Sequence, residues 1–286
     1  MRASVDLPTF AEFSDLRLLA RVAAAAEDAG WDGVHLWEHV NWPFGAPLPT
    51  ADPWLAASVV AQATTRVQVA MMVCPLPRRL PHEVARQSTT MHELTGGRFV
   101  LGVGSGGGGE FDAAELAAFG TTTDARVRGE QLDEGLDVVL ALWSGEPVHH
   151  RGRHWTADGV TFLPASPWAP GRAAVPVWVA GGWGAPRPRR RAARFDAYAP
   201  VRFDGPPWGP QDVTAARALL DAERPVDLPG RTALVLGGTS DGGEGAERLA
   251  ALDEAGLDWW SEGLWSPGRD LDAALRRVAA GPRPPS

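Results

Sequence analysis

Residues capable of acid–base chemistry follow the apolar run "GVHL" in the stretch "WEHVNW" (37–42). It places Glu38 directly beside His39. Histidine is the side chain best suited to proton transfer near neutral pH, and a neighbouring carboxylate can bias its protonation. The stretch predicts His39 as a catalytic acid or base with Glu38 as its acidic partner. A loop histidine that only forms hydrogen bonds is the open alternative.

A glycine-rich stretch, "LGVGSGGGGE" (101–110), also follows an apolar run. Glycine permits unusual backbone dihedrals and close approach, and successive free amides can bind an anion. We therefore expect the backbone at Ser105, Gly106, Gly107 and Gly108 to lie close to a ligand. The alternative is a flexible loop that binds nothing, which would have the same sequence.

A third candidate binding segment, "AGGWGAPRPRRR" (180–191), spans the start of a predicted helix. Gly181, Gly182 and Trp183 come before the helix, and Arg187 lies in its first turn. A helix N-terminus with arginines nearby suits a phosphate group, whereas a solvated basic helix face is the alternative. The later stretch "GGTSDGGEG" (237–245) is a second candidate phosphate loop.

Other classes of function are disfavoured by composition and by missing motifs. The net charge of −8 argues against nucleic-acid binding, and the single cysteine, Cys74, excludes an intrachain disulfide or a cysteine metal cage. No zinc-protease, hydrolase or nucleotide-loop motif occurs, so we predict no metal site. No apolar run is long enough to span a membrane, and the first residues lack a signal-peptide pattern. A cytoplasmic protein is expected.

Apolar runs alternate with segments of helical periodicity along the whole chain. Such alternation predicts parallel strands covered by helices, and eight strand–helix units predict an α/β fold of the (β/α)₈ TIM-barrel class. In a TIM barrel, functional groups collect at the C-terminal mouth, where the strands end. The predicted strands are Val5–Leu7, Gly33–Trp37, Val67–Val73, Phe99–Val103, Val175–Gly181, Tyr198–Val201, Thr232–Gly238 and 257–263.

One segment interrupts this alternation. Turn signals at Arg151-Gly152 and Asp158-Gly159 predict a short β-hairpin within an insertion at approximately 148–170. We expect a single domain, 1–286, with the hairpin near the mouth, where it would line a substrate pocket.

Several blocks of the sequence together resemble the bacterial-luciferase-like superfamily of flavin- and deazaflavin-dependent oxidoreductases. They occur in that family's order and cover nearly the whole chain. The blocks are "AEDAGWDGVHLWEHV", the long stretch from "DPWLAASVV" to "GRFVLGVGSG", "DEGLDVVLALWSGEPVHHRGRHW", "PVWVAGG" and "AGLDWWSEGL". The resemblance implies a TIM barrel, which agrees with the strand count. It also implies a cofactor at the mouth, coenzyme F420 or reduced FMN, of which we favour F420.

The resemblance further implies a role for each candidate residue. His39, with Glu38 in the acidic place, would lie beside the cofactor ring, and Trp42 and Phe10 would line the substrate pocket. A non-proline cis peptide near Met71-Met72 would back the ring. The implied cofactor-binding residues are Met71, Met72, Val73, Ser105, Gly106, Gly107, Gly108, Gly181, Gly182, Trp183 and Arg187. A homodimer, a small-molecule substrate and a flavin- or F420-reducing partner enzyme are also implied.

Two departures from the family pattern bear on the substrate. Sugar-phosphate dehydrogenases of the superfamily carry a glutamate where this chain has Gly107, and Trp42 follows His39 by three places rather than four. We predict an oxidoreductase that uses the reduced cofactor to reduce, oxidise or monooxygenate a small organic molecule. The alternatives are a non-catalytic cofactor-binding protein, and a hydrolase or lyase using Glu38 with Glu110 or Asp112.

Overall fold

Eight parallel strands close into a barrel in the computed structural model of this protein, which describes residues 1–166, 174–202, 204–240, 245–266 and 268–282. Around the barrel the order is β1-β10-β9-β8-β7-β4-β3-β2. The TIM-barrel prediction is confirmed. The barrel strands are β1 (Arg2–Leu7), β2 (Gly33–Leu36), β3 (Gln68–Pro75), β4 (Phe99–Gly104), β7 (Val177–Gly182), β8 (Ala197–Val201), β9 (Ala233–Gly238) and β10 (Trp259–Gly263).

Helices follow the strands and cover the outside of the barrel. Aspartate side chains cap the first turns of several of them, as Asp15, Asp52 and Asp124 do by accepting backbone amides. These caps fix the first residue of each of these three helices and therefore the length of the loop that precedes it at the mouth. The helices are α1 (Leu16–Asp28), α2 (Pro53–Ala63), α3 (Pro81–Leu94), α4 (Ala125–Trp143), α5 (Pro186–Ala192), α6 (Pro210–Glu223), α7 (Gly245–Glu254) and α8 (Leu271–Ala279).

The apolar core has two layers. The larger one lies between the strands and the helices, and the smaller one fills the barrel interior. In the interior, Trp178 and Trp259 pack at 5.4 Å between ring centroids, and most of the other members are small. These other members are the four alanines Ala70, Ala180, Ala197 and Ala199 and the two valines Val100 and Val235.

The predicted hairpin is present as a separate two-stranded sheet of β5 (Val148–Arg151) and β6 (Thr156–Val160). Glu134 on α4 holds the hairpin turn, because its carboxylate accepts the amides of Arg153, His154 and Trp155. Residues 167–173, at the end of the predicted insertion, lie outside the described part of the chain. Within the part that is described, no helix is long and apolar enough to cross a membrane.

The predicted elements differ from the observed ones mainly at their ends. Strand β1 begins at Arg2 rather than Val5, because β10 pairs with it from the register Arg2↔Trp259 onward. In the candidate loop 237–245, residues 241–244 lie outside the described residues.

Candidate functional site

The candidate residues gather on one side of the C-terminal mouth. Phe10 follows β1, His39 follows β2, and the glycine-rich stretches follow β4 and β7. Strands β1, β2, β3, β4 and β7 are consecutive in the barrel, so residues far apart in sequence become neighbours at the rim. The closed sheet thus assembles the site that the sequence presents only as separate segments.

His39 is held by a carboxylate that the sequence did not point to. Its Nδ1 lies 3.0 Å from Oε1 of Glu115, which is buried and also accepts the amide of Val40 at 2.7 Å. Glu115 projects from a π-helical turn, Asp112–Leu116, in the loop between β4 and α4. An ionised carboxylate at Nδ1 favours the tautomer with the proton on Nδ1, which leaves Nε2 for proton exchange. A π-helical turn often marks a functional position, but it is visible only in the structure, and no pattern in the sequence singles out Glu115.

Glu38 pairs with two arginines, and the carboxylate that is hydrogen-bonded to His39 is Glu115 instead. Glu38 Oε1 accepts from Arg78 Nη2 at 3.0 Å and from Arg79 Nε at 2.7 Å. Adjacent residues in an extended chain point to opposite sides, which separates Glu38 from the mouth-facing His39. The nearby Cys74 thiol is buried, and burial together with the charge of Glu38 raises its pKa well above the usual range. That thiol is a packing group rather than a nucleophile.

Arg78 joins the two carboxylates into one network. It donates to Glu38 and, through Nη1, to Oε2 of Glu115 at 3.1 Å. Burial alone would raise the pKa of Glu115, but the hydrogen bond from His39, the charge of Arg78 and the Val40 amide hold it below its usual value. Glu115 is therefore ionised at neutral pH, as an acceptor for His39 must be.

The Glu115→Gln variant is expected to be less stable than the wild type by about 1–3 kcal/mol at pH 7. The pKa of Glu115 is lowered on folding. Its contribution is therefore complete above the unfolded-state pKa and disappears as the pH falls through the folded-state pKa. Urea denaturation at pH 7 and pH 4 measures this, and the difference between the variants should shrink at pH 4. Glu146→Gln, the same change at an exposed carboxylate just beyond α4, is the control, and an equal loss at both pH values would contradict the prediction.

The glycine-rich loop is shaped largely by this chain's own side chains. Gly106 to Gly109 all have positive φ, between 58° and 111°. A Cβ at Gly107 would overlap Asp112 Oδ1 and lie 2.7 Å from Leu116. The Gly108 amide donates to Asp112 at 2.9 Å, so it is not free for an anion. Only at Gly108 and Gly109 is the space next to Cα open, and the close approach predicted at Gly107 is to protein atoms.

The end of β7 offers open backbone beside the mouth. Gly182 has an ordinary φ, and nothing lies within 4 Å of a Cβ placed there. Position 181, in contrast, must be a glycine, because a Cβ there would overlap the ring of Pro188. Trp183 packs on Trp208 at 5.1 Å between ring centroids. The backbone at Gly182 is therefore accessible beside the mouth, with the Trp183–Trp208 pair next to it.

The arginines after β7 are mostly engaged within the protein. Arg189 pairs with Glu223 at 2.7 Å and Arg191 with Asp133 at 2.5 Å. Arg187 is exposed, and the described residues provide no ion pair for it. Most of these arginines thus belong to an ion-paired helix face, as in the alternative interpretation. Of the group, we retain only Arg187 as a proposed phosphate contact.

The expected irregular peptide lies one bond further along than predicted. The non-proline cis bond joins Met72 and Val73, not Met71 and Met72. At the same place the pairing of β3 with β4 shifts register between Met71 and Cys74. Met71 is fully buried, whereas Met72 and Val73 are partly exposed at the barrel interior. Met72 and Val73 thus lie near the C-terminal end of β3 and pack against the barrel interior.

An aromatic wall closes the side of the mouth near β1 and β2. Phe10 is buried and packs 4.7 Å from both Trp42 and Trp265 between ring centroids. His39 stacks on Phe111 at 4.9 Å. Phe10 is therefore a support behind the wall, while Trp42 is partly exposed and available to a substrate.

Asp6, which the sequence analysis missed, also faces the interior at the mouth. Burial raises the pKa of its carboxyl to about 7, against the opposing effect of hydrogen bonds from Trp37 and Ser261. Its Oδ1 is buried and has no hydrogen-bond partner. Side chains alternate between the two faces of a strand, so the sequence could have predicted an inward-facing acid near the end of β1.

The sequence matches the profile of a known family over residues 3–201, described as luciferase-like monooxygenase. Among related sequences, the F420-dependent glucose-6-phosphate dehydrogenase of Nakamurella multipartita is 31% identical over 183 residues, which are 62% of this chain and 49% of that protein. The enzyme of the same name from Beutenbergia cavernae is 34% identical over 155 residues, 53% of this chain and 44% of that protein. The matched segments thus span about half the length of these relatives.

Solved structures share the fold over nearly the entire chain. An F420-dependent secondary alcohol dehydrogenase in complex with an F420–acetone adduct superposes with a TM-score of 0.75 at 16% identity, covering 96% of each chain. The monooxygenase RslO1 from Streptomyces bottropensis gives a TM-score of 0.73 at 20% identity, covering 97% of this chain and 96% of the other.

Proposed function

We propose, from the premise that this chain belongs to the luciferase-like monooxygenase family, that it is an oxidoreductase using F420 or FMN on a small organic substrate. The reaction would be a reduction, an oxidation or a monooxygenation. The observation that carries the proposal is the His39–Glu115 pair at a rim that has open backbone at Gly182. Because the two named relatives are F420-dependent, we favour F420.

The residues of the mouth fit a flavin-type ring. Gly182, Gly108 and Gly109 leave open space beside the backbone, and Asp6 presents a buried oxygen without a partner. We propose that the ring is held between the ends of β3, β4 and β7, with Val73 and Gly182 against it. Exposed Arg187 is the proposed contact for the acidic tail.

A bound flavin or deazaflavin supplies two-electron redox chemistry, and FMN also supplies reaction with dioxygen. The protein's own part is to hold and move a proton. Glu115 keeps the His39 ring in one orientation by accepting from Nδ1, and His39 Nε2 gives a proton to, or takes one from, a substrate oxygen. Trp42 orients an apolar substrate beside His39, and the aromatic wall excludes water.

We do not extend the proposal to a sugar phosphate. A glutamate at position 107 has no room, because the atoms of Asp112 and Leu116 occupy the place of its Cβ. The carboxylate near His39 comes from Glu115 instead, and it is buried rather than open to a substrate hydroxyl. We therefore propose no sugar-phosphate substrate for this chain.

Titration with F420 and FMN separately is the test of this proposal. F420 is expected to bind at least about tenfold more tightly than FMN, a difference of about 1.4 kcal/mol. Quenching of protein or cofactor fluorescence reports the binding. Equal, weak binding of both cofactors would contradict the proposal. Tight binding without turnover on any of a panel of alcohols, ketones and aromatic substrates would favour the non-catalytic alternative.

The proposal includes a homodimer, a cytoplasmic location, a single domain and a flavin- or F420-reducing partner enzyme. These features are supported by the family resemblance alone. Sedimentation velocity tests the dimer directly, and a monomer at micromolar concentration would remove it from the proposal.

A further inference from the structure

Asp6 lies on the floor of the mouth, on the inner face of β1. Its register neighbours are His35 on β2 and Gly263 on β10. It follows Ser4 by two residues and shares that residue's inward face. The residue as a whole is partly exposed, whereas its carboxyl oxygen Oδ1 is buried and unpartnered. Asp6 therefore lies on the inner face of the barrel, one residue before the C-terminal end of β1.

The wall across the barrel leaves room for a flat group to reach this floor. At the level of the mouth, β7, β8 and β9 contribute Ala180, Ala199 and Gly237 to the interior. These residues present at most a methyl group. The larger inner-face side chains near the path of a ring entering at Gly182 are Val201, which pairs with Gly182 at the rim, and Trp178, one inward position below Ala180.

Asp6 differs from the other buried carboxylates of the described chain. Glu38 and Glu115 pair with Arg78, and Glu262 lies 3.3 Å from Arg277. The described residues place no arginine within ion-pair distance of Asp6. Its neighbours are instead the side chains of Trp37 and Ser261. A carboxyl buried without a cation is more stable as the neutral acid, which both donates and accepts a hydrogen bond.

We propose that the neutral carboxyl of Asp6 binds the imide edge of the cofactor ring through a pair of hydrogen bonds. The carboxyl O–H donates to a ring carbonyl, and its carbonyl oxygen accepts the adjacent ring N–H. Flavins and deazaflavins both carry this carbonyl and N–H pair. The inference rests on the proposed function, and it assigns to Asp6 the orientation of the ring.

The pairing makes cofactor affinity depend on pH in one direction. The pKa of Asp6 is raised to about 7, so the neutral form that binds predominates below that value. As the pH rises above 7, binding requires uptake of a proton, and the affinity falls toward a limit of about tenfold per pH unit.

The other titratable groups around Asp6 have separate places. On β2, His35 lies 3.0 Å from Ser4 Oγ, and burial lowers its pKa to about 4, so it is neutral throughout this range. His39, beyond the end of β2, pairs with Glu115. On β10, Glu262 is turned outward to Arg277, and Arg269 donates to the Gly263 carbonyl. Among these groups, His39 is thus the one whose contribution to the pH dependence of cofactor binding must be tested with a separate variant.

The Asp6→Asn and Asp6→Leu variants test the proposal by titration with F420 and FMN between pH 5.5 and 8.5. An asparagine amide carries the same donor and acceptor but has no proton to lose. Asp6→Asn is expected to bind within about threefold of the wild type at pH 6 and to keep that affinity to pH 8.5. Asp6→Leu, which has a similar size, is expected to bind about tenfold or more weakly at every pH.

Three further measurements exclude trivial explanations. Calorimetry in two buffers of different ionisation enthalpy should show proton uptake at pH 7.5 for the wild type and none for Asp6→Asn. His39→Gln should keep the wild-type pH dependence, as should Asp137→Asn, the same charge change on the exposed face of α4. Asp6→Asn should be at least as stable as the wild type at pH 8, which a purely structural carboxylate would not allow.

Each outcome has a defined meaning. If Asp6→Asn retains the wild-type decline in affinity, or if Asp6→Leu binds as tightly as the wild type, the pairing is wrong. Tight binding to the wild type without pH dependence overturns this inference alone and leaves the proposed function intact. Failure of the wild type to bind either cofactor at any pH overturns the proposed function, and this inference with it.

Discussion

Replacing His39 by alanine is expected to lower turnover by about 10²–10⁴-fold, the usual contribution of a general acid or base. Cofactor affinity should change by no more than about threefold, because the ring rests mainly on the backbone near Val73 and Gly182 rather than on His39. His39 is suited to this role by its partial exposure and by the 3.0 Å contact of Nδ1 with Glu115. Steady-state kinetics with the best substrate of the panel, together with cofactor titration, separates the two effects.

The matched control for His39 is His82→Ala, since His82 is an exposed histidine in the first turn of α3 and lies outside the ion-pair network of Glu38, Glu115 and Arg78. It should leave both turnover and affinity unchanged. If His39→Ala turned over at the wild-type rate, proton transfer would have to be assigned to another group. A parallel loss of cofactor affinity would instead indicate that His39 holds the ring.

Replacing Gly182 by leucine is expected to weaken cofactor binding by at least about 100-fold, or roughly 2.7 kcal/mol. The φ of Gly182 is ordinary and nothing lies within 4 Å of a Cβ placed there, so the protein backbone and its neighbours accept a Cβ at this position without strain. A leucine would fill the volume assigned to the ring. Cofactor titration gives the affinity, and thermal denaturation without cofactor should give an unchanged midpoint.

A graded substitution provides the control for this effect. Gly182→Ala should fall between the wild type and Gly182→Leu in affinity, with stability unchanged in both. Gly107→Leu is unsuitable for this purpose, because its side chain would displace Asp112 and Leu116 before it met any ligand. Wild-type affinity in Gly182→Leu would show that the ring lies elsewhere on the rim.

The partner of His39 illustrates where inference from sequence fails. Glu38 is the adjacent acid in the chain, yet the true partner, Glu115, lies 76 residues away. Neighbouring residues at a strand end diverge, and Glu38 is drawn to Arg78 and Arg79. The position of Glu115 depends on how the loop after β4 folds back over the end of β2, which no local pattern encodes.

The glycine-rich loop gives a second example. The string of glycines correctly indicated unusual backbone dihedrals, since Gly106 to Gly109 all have positive φ. It did not indicate which atoms approach them. At Gly107 these atoms belong to Asp112 and Leu116, whereas at Gly182 the space is free.

The sequence by itself determined the barrel, the hairpin after α4 and the family, because these follow from apolar periodicity and from motifs contained within short segments. It also placed the candidate residues at strand ends. Only the tertiary structure decided that Glu115 holds His39 and that Asp6 lies without a cation on the floor of the mouth. Both results depend on closure of the sheet, which brings together side chains whose separation along the chain leaves no periodic signal.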